Sequence, residues 1–235
     1  MNVSPAASDY QPLAEAMRPK SLEEFVGQSH LIRPGSALRE ALTQGHVHSM
    51  VLWGPPGTGK TTLARMVAHY CDARFQVLSA VTAGIKDVRE VVAEAKALPG
   101  KLVLFVDEVH RFNKAQQDGF LPHVEDGTLV LIGATTENPA FELNNALLSR
   151  LRVYVLRALS REDLQSLLER VLSDCDRGLG RLNLTMSDYG RDCLLAAADG
   201  DARRLLNFLE IGSQFATITS DGHELSDEVL PEVIG

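Results

Sequence analysis

Eight consecutive residues, Gly54-Pro55-Pro56-Gly57-Thr58-Gly59-Lys60-Thr61, carry the most specific chemistry in this 235-residue chain. Glycines in the pattern Gly-x4-Gly-Lys-Thr let successive backbone N–H groups turn inward around an anion. The helix that follows points its positive dipole end at the same place. The setting agrees with the motif, since Met50-Val51-Leu52-Trp53 leads in as a strand and Thr62-Leu63-Ala64-Arg65-Met66-Val67-Ala68 leads out with helical spacing. In such a loop Lys60 reaches the β- and γ-phosphates and the Thr61 hydroxyl ligates Mg²⁺. ATP/ADP with Mg²⁺ is therefore the expected ligand, held by Gly54, Pro55, Pro56, Gly57, Thr58, Gly59, Lys60, Thr61 and Thr62.

A second stretch, Leu102-Val103-Leu104-Phe105-Val106, reads as a buried strand that ends in two carboxylates, Asp107 and Glu108. Strand alternation lets Asp107 face the Mg²⁺ shell while Glu108 reaches the side where water attacks the γ-phosphate. A metal-side acid and a water-activating base are what hydrolysis needs. Third comes Gly133-Ala134-Thr135-Thr136-Glu137-Asn138 at the end of the next apolar run. If that strand lies between the phosphate-loop strand and the Asp-Glu strand, its last polar residue orients the attacking water; Thr136 is the first choice, with Thr135 and Asn138 next. Two arginines complete the set: Arg150 ends a short helix and Arg203 opens a later one. Each could neutralise transition-state charge, although an isolated arginine is more often a solvated surface group. His110-Arg111 could couple Glu108 to a neighbour or to DNA, and capping or packing explains the pair equally well. His46 and His48 read as structural.

Positioning these groups requires an alternation of strands and helices. Apolar runs at Phe75–Ser79, Leu102–Val106, Leu129–Gly133 and, more weakly, Val153–Leu156 add four strands to the one before the phosphate loop. Helical stretches at Lys86–Ala97, Lys114–Val124 and Ala146–Ser149 separate them, and Pro122 is expected to kink or end the middle one. The pattern predicts an α/β fold, a parallel five-stranded sheet with helices on both faces. Earlier, Ser21-Leu22-Glu23-Glu24 reads as a capping box, and Ala37–Gln44 as a helix begun by Ser36 and stopped by Gly45. From Ser160 onward the spacing is helical only, at Arg161–Leu172, Ser187–Ala198, Asp201–Thr217 and Ser226–Val233. Residues 1–12 are thus expected to be a flexible leader, 13–158 a nucleotide-binding α/β domain and 159–235 a small all-α lid.

Composition limits the function classes. Net charge is −8, and the whole acidic excess lies beyond residue 160, where 7 basic face 15 acidic side chains. That distribution argues against a broad basic footprint for DNA, while leaving room for a local stripe. No apolar run approaches membrane-spanning length and the amino terminus lacks a secretory pattern, which together imply the cytoplasm. Three widely spaced cysteines, Cys71, Cys175 and Cys193, suggest reduced, buried thiols rather than a disulfide framework.

The order of Gly-Pro-Pro-Gly-Thr-Gly-Lys-Thr, Val-Asp-Glu-Val-His-Arg-Phe-Asn, Gly-Ala-Thr-Thr-Glu-Asn-Pro, Leu-Leu-Ser-Arg and Gly-Asp-Ala-Arg-Arg resembles AAA+ ATPases of the clamp-loader clade. The runs Asp107–Asp118, Phe120–Gly127 and Gly133–Ser149 are similar, more narrowly, to the replication-associated recombination protein A family, which is related to the Werner-helicase-interacting ATPases. The resemblance covers about residues 13–235. It implies that Lys60 and Thr61 belong to Walker A, Asp107 and Glu108 to Walker B, and Thr136 to sensor one. Arg150 falls where relatives present an arginine finger to a neighbouring subunit, and Arg203 at sensor two. Arg18-Pro19 and Val26-Gly27-Gln28 match the segment that wraps adenine. By the same resemblance the chain is a DNA-dependent ATPase at gapped or forked DNA or single-stranded ends, nucleoid-associated, with single-stranded-DNA-binding protein as a partner. Family members continue into a helical region that makes tetramers, whereas this chain stops at Gly235, so it looks like a truncated form with assembly and autonomous DNA binding weakened. Two other classes share the phosphate loop. A nucleotide-dependent binding switch would not need Glu108, and a small-molecule kinase would not need the tandem Asp107-Glu108 or a trailing helical lid.

Overall fold

The computed structural model describes residues 10–97 and 99–235, so the first nine residues of the expected leader lie outside the described residues. Contacts divide the chain into two compact units, residues 20–158 and residues 159–235, the second joined by the amino-terminal segment through Pro19. A one-turn helix, α1 (Leu13–Ala16), buries Leu13 among residues of the second unit. Just before it, the Tyr10 hydroxyl and the Leu13 N–H both donate to one Glu210 oxygen, at 2.6 and 3.1 Å. The described end of the leader is therefore tied down, not loose.

The larger unit contains α2 (Ser29–Ile32), α3 (Ala37–Thr43), β1 (Met50–Trp53), α4 (Lys60–Tyr70), β2 (Arg74–Ser79), α5 (Ile85–Ala97) and β3 (Leu102–Asp107). These are followed by α6 (Lys114–Asp118), α7 (Leu121–Glu125), β4 (Val130–Thr135), α8 (Pro139–Glu142), α9 (Asn145–Leu148) and β5 (Arg152–Val155). All five strands pair in parallel in the order β2-β3-β4-β1-β5. The most continuously apolar strands, β1, β3 and β4, take the centre because both of their faces must be covered. Alternation sorts their side chains between two cores. Leu52, Phe105 and Ile132 pack with Leu63 and Val67 of α4, while Val51, Leu104 and Leu131 pack with Val88 and Val91 of α5. The expected sheet with helices on both faces is what forms.

Local expectations fail in three places. Ser21–Glu24 forms a turn without a helix, and the Glu24 carboxylate accepts from the Lys20 N–H at 3.2 Å. The helix expected over Lys114–Val124 breaks at Gly119-Phe120, and Pro122 sits in the first turn of α7, where a missing N–H costs nothing. Of the cysteines, only Cys71 is buried; Cys175 is exposed and Cys193 is partly so.

The second unit has α10 (Arg161–Ser173), β6 (Leu184–Met186), α11 (Asp188–Ala198), α12 (Ala202–Phe215), β7 (Thr217–Thr219), β8 (Gly222–Leu225) and α13 (Leu230–Ile234). Ser160 caps α10 in a reciprocal box with Asp163, and Ser187 caps α11. The helices share an apolar core through Leu168, Leu194, Leu205 and Leu209. To the expected helices the structure adds a three-stranded sheet, β6-β8-β7, which corrects the all-α description. Its strands are three or four residues long and β7 is wholly exposed, so they leave no hydrophobic period in the sequence. No helix among the described residues is long and apolar enough to cross a membrane.

Two polar contacts brace the phosphate-loop strand and its surroundings. Gln28, buried and with a φ of 55°, begins α2. Its amide pairs with both backbone groups of Arg157, donating to the carbonyl at 2.7 Å and accepting from the N–H at 2.9 Å. It also reaches the Thr58 carbonyl at 3.4 Å. His48 meets the Tyr154 hydroxyl at 2.9 Å. Loss of hydration on burial, with help from the Arg152 charge, holds the His48 imidazole below its ordinary pKa.

Gln28→Ala should lower unfolding free energy by about 1–3 kcal/mol in urea titration, because it strands two backbone groups of Arg157; a change under about 0.5 kcal/mol would mean that water replaces the amide. A depressed histidine pKa gives stability that is present above the unfolded pKa of about 6.5 and is lost as pH falls below it. Thermal stability should consequently fall more between pH 7 and pH 5 in the wild type than in His48→Gln, and equal slopes in the two proteins would refute the assignment.

Candidate active site

The ladder β1-β4-β3 brings the three chemically rich segments to one edge of the sheet. Trp53 is paired with Thr135, and Val106 with Gly133, so all three strands end within two residues of each other in register. The Gly54 N–H continues the ladder by donating to the Thr135 carbonyl at 3.1 Å. A side chain at Gly54 would lie 2.3 Å from the Leu156 carbonyl, which is why the phosphate loop must leave the sheet on a glycine.

Within the loop, Gly57 and Gly59 have φ of 67° and 96°, the left-handed region that glycine enters without strain. Gly59 is also the last residue before α4, so no side chain caps that helix. The Phe25 ring fills the space where a Gly59 side chain would stand, at 2.7 Å. Thr58 is buried and its hydroxyl donates to the Pro55 carbonyl at 2.9 Å. Lys60 is nearly buried, and its ammonium donates to the carbonyls of Gly54 and Pro55 at 2.8 and 2.7 Å. The loop thus closes through carbonyls that accept from Lys60 and Thr58 and leads straight into the uncapped start of the 11-residue helix α4, whose free N–H groups suit phosphate oxygens. Thr61 and Asp107 offer hard oxygen ligands. Among the described residues no cluster of three His, Cys, Asp or Glu side chains could hold a metal by itself. That donor set fits Mg²⁺, which keeps waters and phosphate oxygens in its shell and needs few protein ligands.

Glu108 leaves β3 in the left-handed region, with φ 52° and ψ 45°, and its N–H donates to the Asp107 carboxylate at 3.2 Å. A 3₁₀ turn follows at Val109–Arg111. Val109 is buried and its methyl group would be 3.0 Å from a side chain at Gly133, so this turn lies directly on β4. The contact carries His110 to β4, where Nδ1 is 2.9 Å from the Thr135 hydroxyl and 3.3 Å from Glu108 Oε2. Thr135 is fully buried and hydrogen-bonded to both backbone groups of Glu137. Thr136 is exposed, one residue past the strand. Asn138 accepts from the Ala140 N–H and caps α8. No spacing rule in the sequence links His110 to Thr135.

The other expected site residues lie on other elements. Arg150 follows α9 and is engaged by its own chain, pairing with Glu125 of α7 and donating to the Ala146 carbonyl at 2.7 Å. Arg203 is an exposed residue in the first turn of α12, in the second unit. Arg18 pairs with Glu15, and with Pro19 it belongs to the unit that contains α12, while Val26 and Gln28 belong to the other. Gln28 differs from expectation in one respect: its amide is engaged with Arg157 and Thr58 and is turned to backbone.

Residues 50–159 match the model of the ATPase family associated with various cellular activities (AAA). Replication-associated recombination protein A of Haemophilus influenzae is 52% identical over 233 residues, 98% of this chain and 52% of the relative. The protein of the same name from Coxiella burnetii is 55% identical over 232 residues, 96% of this chain and 52% of the relative. ATPase WRNIP1 of Dictyostelium discoideum is 43% identical over 86% of this chain and 23% of its own length. The chain therefore spans about half the length of the recombination proteins it matches. Among solved structures, the Holliday junction branch migration motor RuvB of Thermotoga maritima superposes with a TM-score of 0.73 at 25% identity, covering 93% of this chain and 72% of that one. With its phosphate loop, strand order and carboxylate pair, this chain belongs to the AAA ATPases and, within them, to the family of replication-associated recombination protein A.

Proposed function

We propose that this chain is the ATP-hydrolysing part of an oligomeric machine that remodels DNA, or complexes bound to DNA, during replication-fork maintenance, recombination and repair. The observation that supports it most is the side-by-side ending of β1, β4 and β3, which sets Lys60, Thr135-Thr136 and Asp107-Glu108 at one sheet edge. In this reading the loop N–H groups and Lys60 bind the phosphates, and Thr61 and Asp107 hold Mg²⁺, which supplies charge neutralisation. Glu108 accepts the proton of the attacking water while Thr136 orients that water. Arg150 acts on the site of a neighbouring copy, and Arg203 reports from the second unit to the nucleotide of its own chain. The backbone around Val26–Gln28, with Arg18-Pro19, lies against the adenine. DNA with gaps, forks or single-stranded ends as the activating ligand, single-stranded-DNA-binding protein as a partner, and a cytoplasmic, nucleoid-associated setting belong to this proposal; the relatives' names support only its link to replication and recombination.

One observation favours a second reading, a nucleotide-dependent interaction module with little hydrolysis of its own. Arg150 is held by Glu125 within the chain, so an isolated copy has its finger engaged at home.

Turnover measured against protein concentration, with and without gapped DNA, decides between them. Rates should be low in dilute protein, rise with concentration or DNA, and fall by at least about 100-fold in Glu108→Gln. Lys60→Ala should lose nucleotide affinity. Arg150→Ala should lose about 10³-fold in turnover while still binding nucleotide, with partial recovery when mixed with Glu108→Gln, whose arginine is intact. Tight nucleotide binding with negligible turnover under every condition would favour the module, and phosphate transfer to a small acceptor would overturn both.

A further inference from the structure

We propose that His110 is a positioning residue for hydrolysis. Its ring, hydrogen-bonded to the buried Thr135 hydroxyl, holds Nδ1 against the Glu108 carboxylate, so that the water-activating base and the end of β4 are set as one piece. The inference rests on the reading of Glu108 as the base.

One tautomer of His110 satisfies all of these contacts. Nδ1 lies 3.3 Å from Glu108 Oε2, an ion-pair distance, and a proton on that nitrogen makes the contact attractive. That N–H then donates to the Thr135 hydroxyl at 2.9 Å. Thr135 also accepts from the Glu137 N–H at 3.0 Å and is 3.2 Å from the Glu137 carbonyl, to which its own proton goes. Every donor then has an acceptor, and the reverse arrangement would face an imidazole lone pair toward a carboxylate. His110 is only 11% exposed at its side chain, so water offers a poor substitute.

Restraint at this point has a physical purpose. Glu108 sits in the left-handed region, outside the strand ladder, and the side chain of such a residue is not aimed by its neighbours in sequence. The turn that follows is clamped because Gly133 admits Val109, and residues 133 and 135 share a face of β4. Val109 thus fixes the backbone of the turn, and His110 fixes the carboxylate to the strand that also leads to Thr136.

The test compares His110→Ala, His110→Asn and Thr135→Val, each alone and combined with Glu108→Gln, for single-turnover hydrolysis of ATP and for affinity toward a fluorescent ATP analogue. Asparagine can place an amide N–H near the Nδ1 position. Expected are a turnover loss of about 10- to 100-fold in His110→Ala with affinity within about twofold of wild type, and substantial recovery in His110→Asn. No further loss should appear when His110→Ala is added to Glu108→Gln, since a residue that acts through the base has nothing left to position. Long-range ¹H–¹⁵N spectra of the imidazole should show Nδ1 protonated in the wild type. Undiminished turnover in His110→Ala, a parallel loss of affinity, additivity with Glu108→Gln, or an Nδ1 without a proton would each overturn the inference. Wild-type turnover in Glu108→Gln alone would overturn the base assignment and this inference together, whereas loss there with none in His110→Ala overturns only this one.

Discussion

Everything chemical in this chain depends on a backbone ladder. Parallel pairing of β1 with β4, and of β4 with β3, fixes where three strands stop, and each stops at a segment whose side chains matter. Parallel strands end at the same edge, so groups scattered from residue 54 to residue 136 converge there without any contact between them being separately encoded. The ladder can do this because both faces of its three central strands are buried. Val51, Leu104 and Leu131 on one side, and Leu52, Phe105 and Ile132 on the other, leave no freedom to slip by one residue, which would exchange the two cores.

Close approach is the second constraint, and three glycines carry it. Gly54 lets the chain leave β1 beside the Leu156 carbonyl, Gly59 admits the Phe25 ring beneath the start of α4, and Gly133 admits Val109 onto β4. Each brings a piece of backbone nearer to the phosphate edge than a Cβ atom would allow. Interiors packed at this density pass a displacement on rather than absorb it. A shift in the 3₁₀ turn therefore reaches Glu108, and a shift in Gln28 reaches both Arg157 and the Thr58 carbonyl of the phosphate loop.

Charge is distributed in keeping with a divided task. The α/β unit is close to balanced, and the acidic excess sits in the segment that forms the second unit. A protein with that balance gains little from unaided attraction to DNA, whose binding draws on many phosphate contacts. Ion pairs such as that of Arg150 with Glu125 are half-exposed, so they orient a side chain more than they stabilise the fold.

What was legible in the sequence is what short-range physics writes there. The phosphate loop, the five strands and the carboxylate pair depend on glycine freedom and on the period of apolar residues, so nearby positions reveal them. The sequence left open whether β4 lies between β1 and β3, and the ladder places it there. Short-range reading failed where competing local preferences were nearly equal: Ser21–Glu24 has the residues of a cap without a helix to cap, and Gly119 breaks what periodicity alone would join. Tertiary structure alone decided the pairings across long separations. Gln28 with Arg157 and His110 with Thr135 are 129 and 25 residues apart. The hairpin of β7 and β8, and its partner β6, likewise appear only when the chain is folded. Such contacts have no period and no motif, because they are chosen by which surfaces remain uncovered once the strands have paired and the cores have closed.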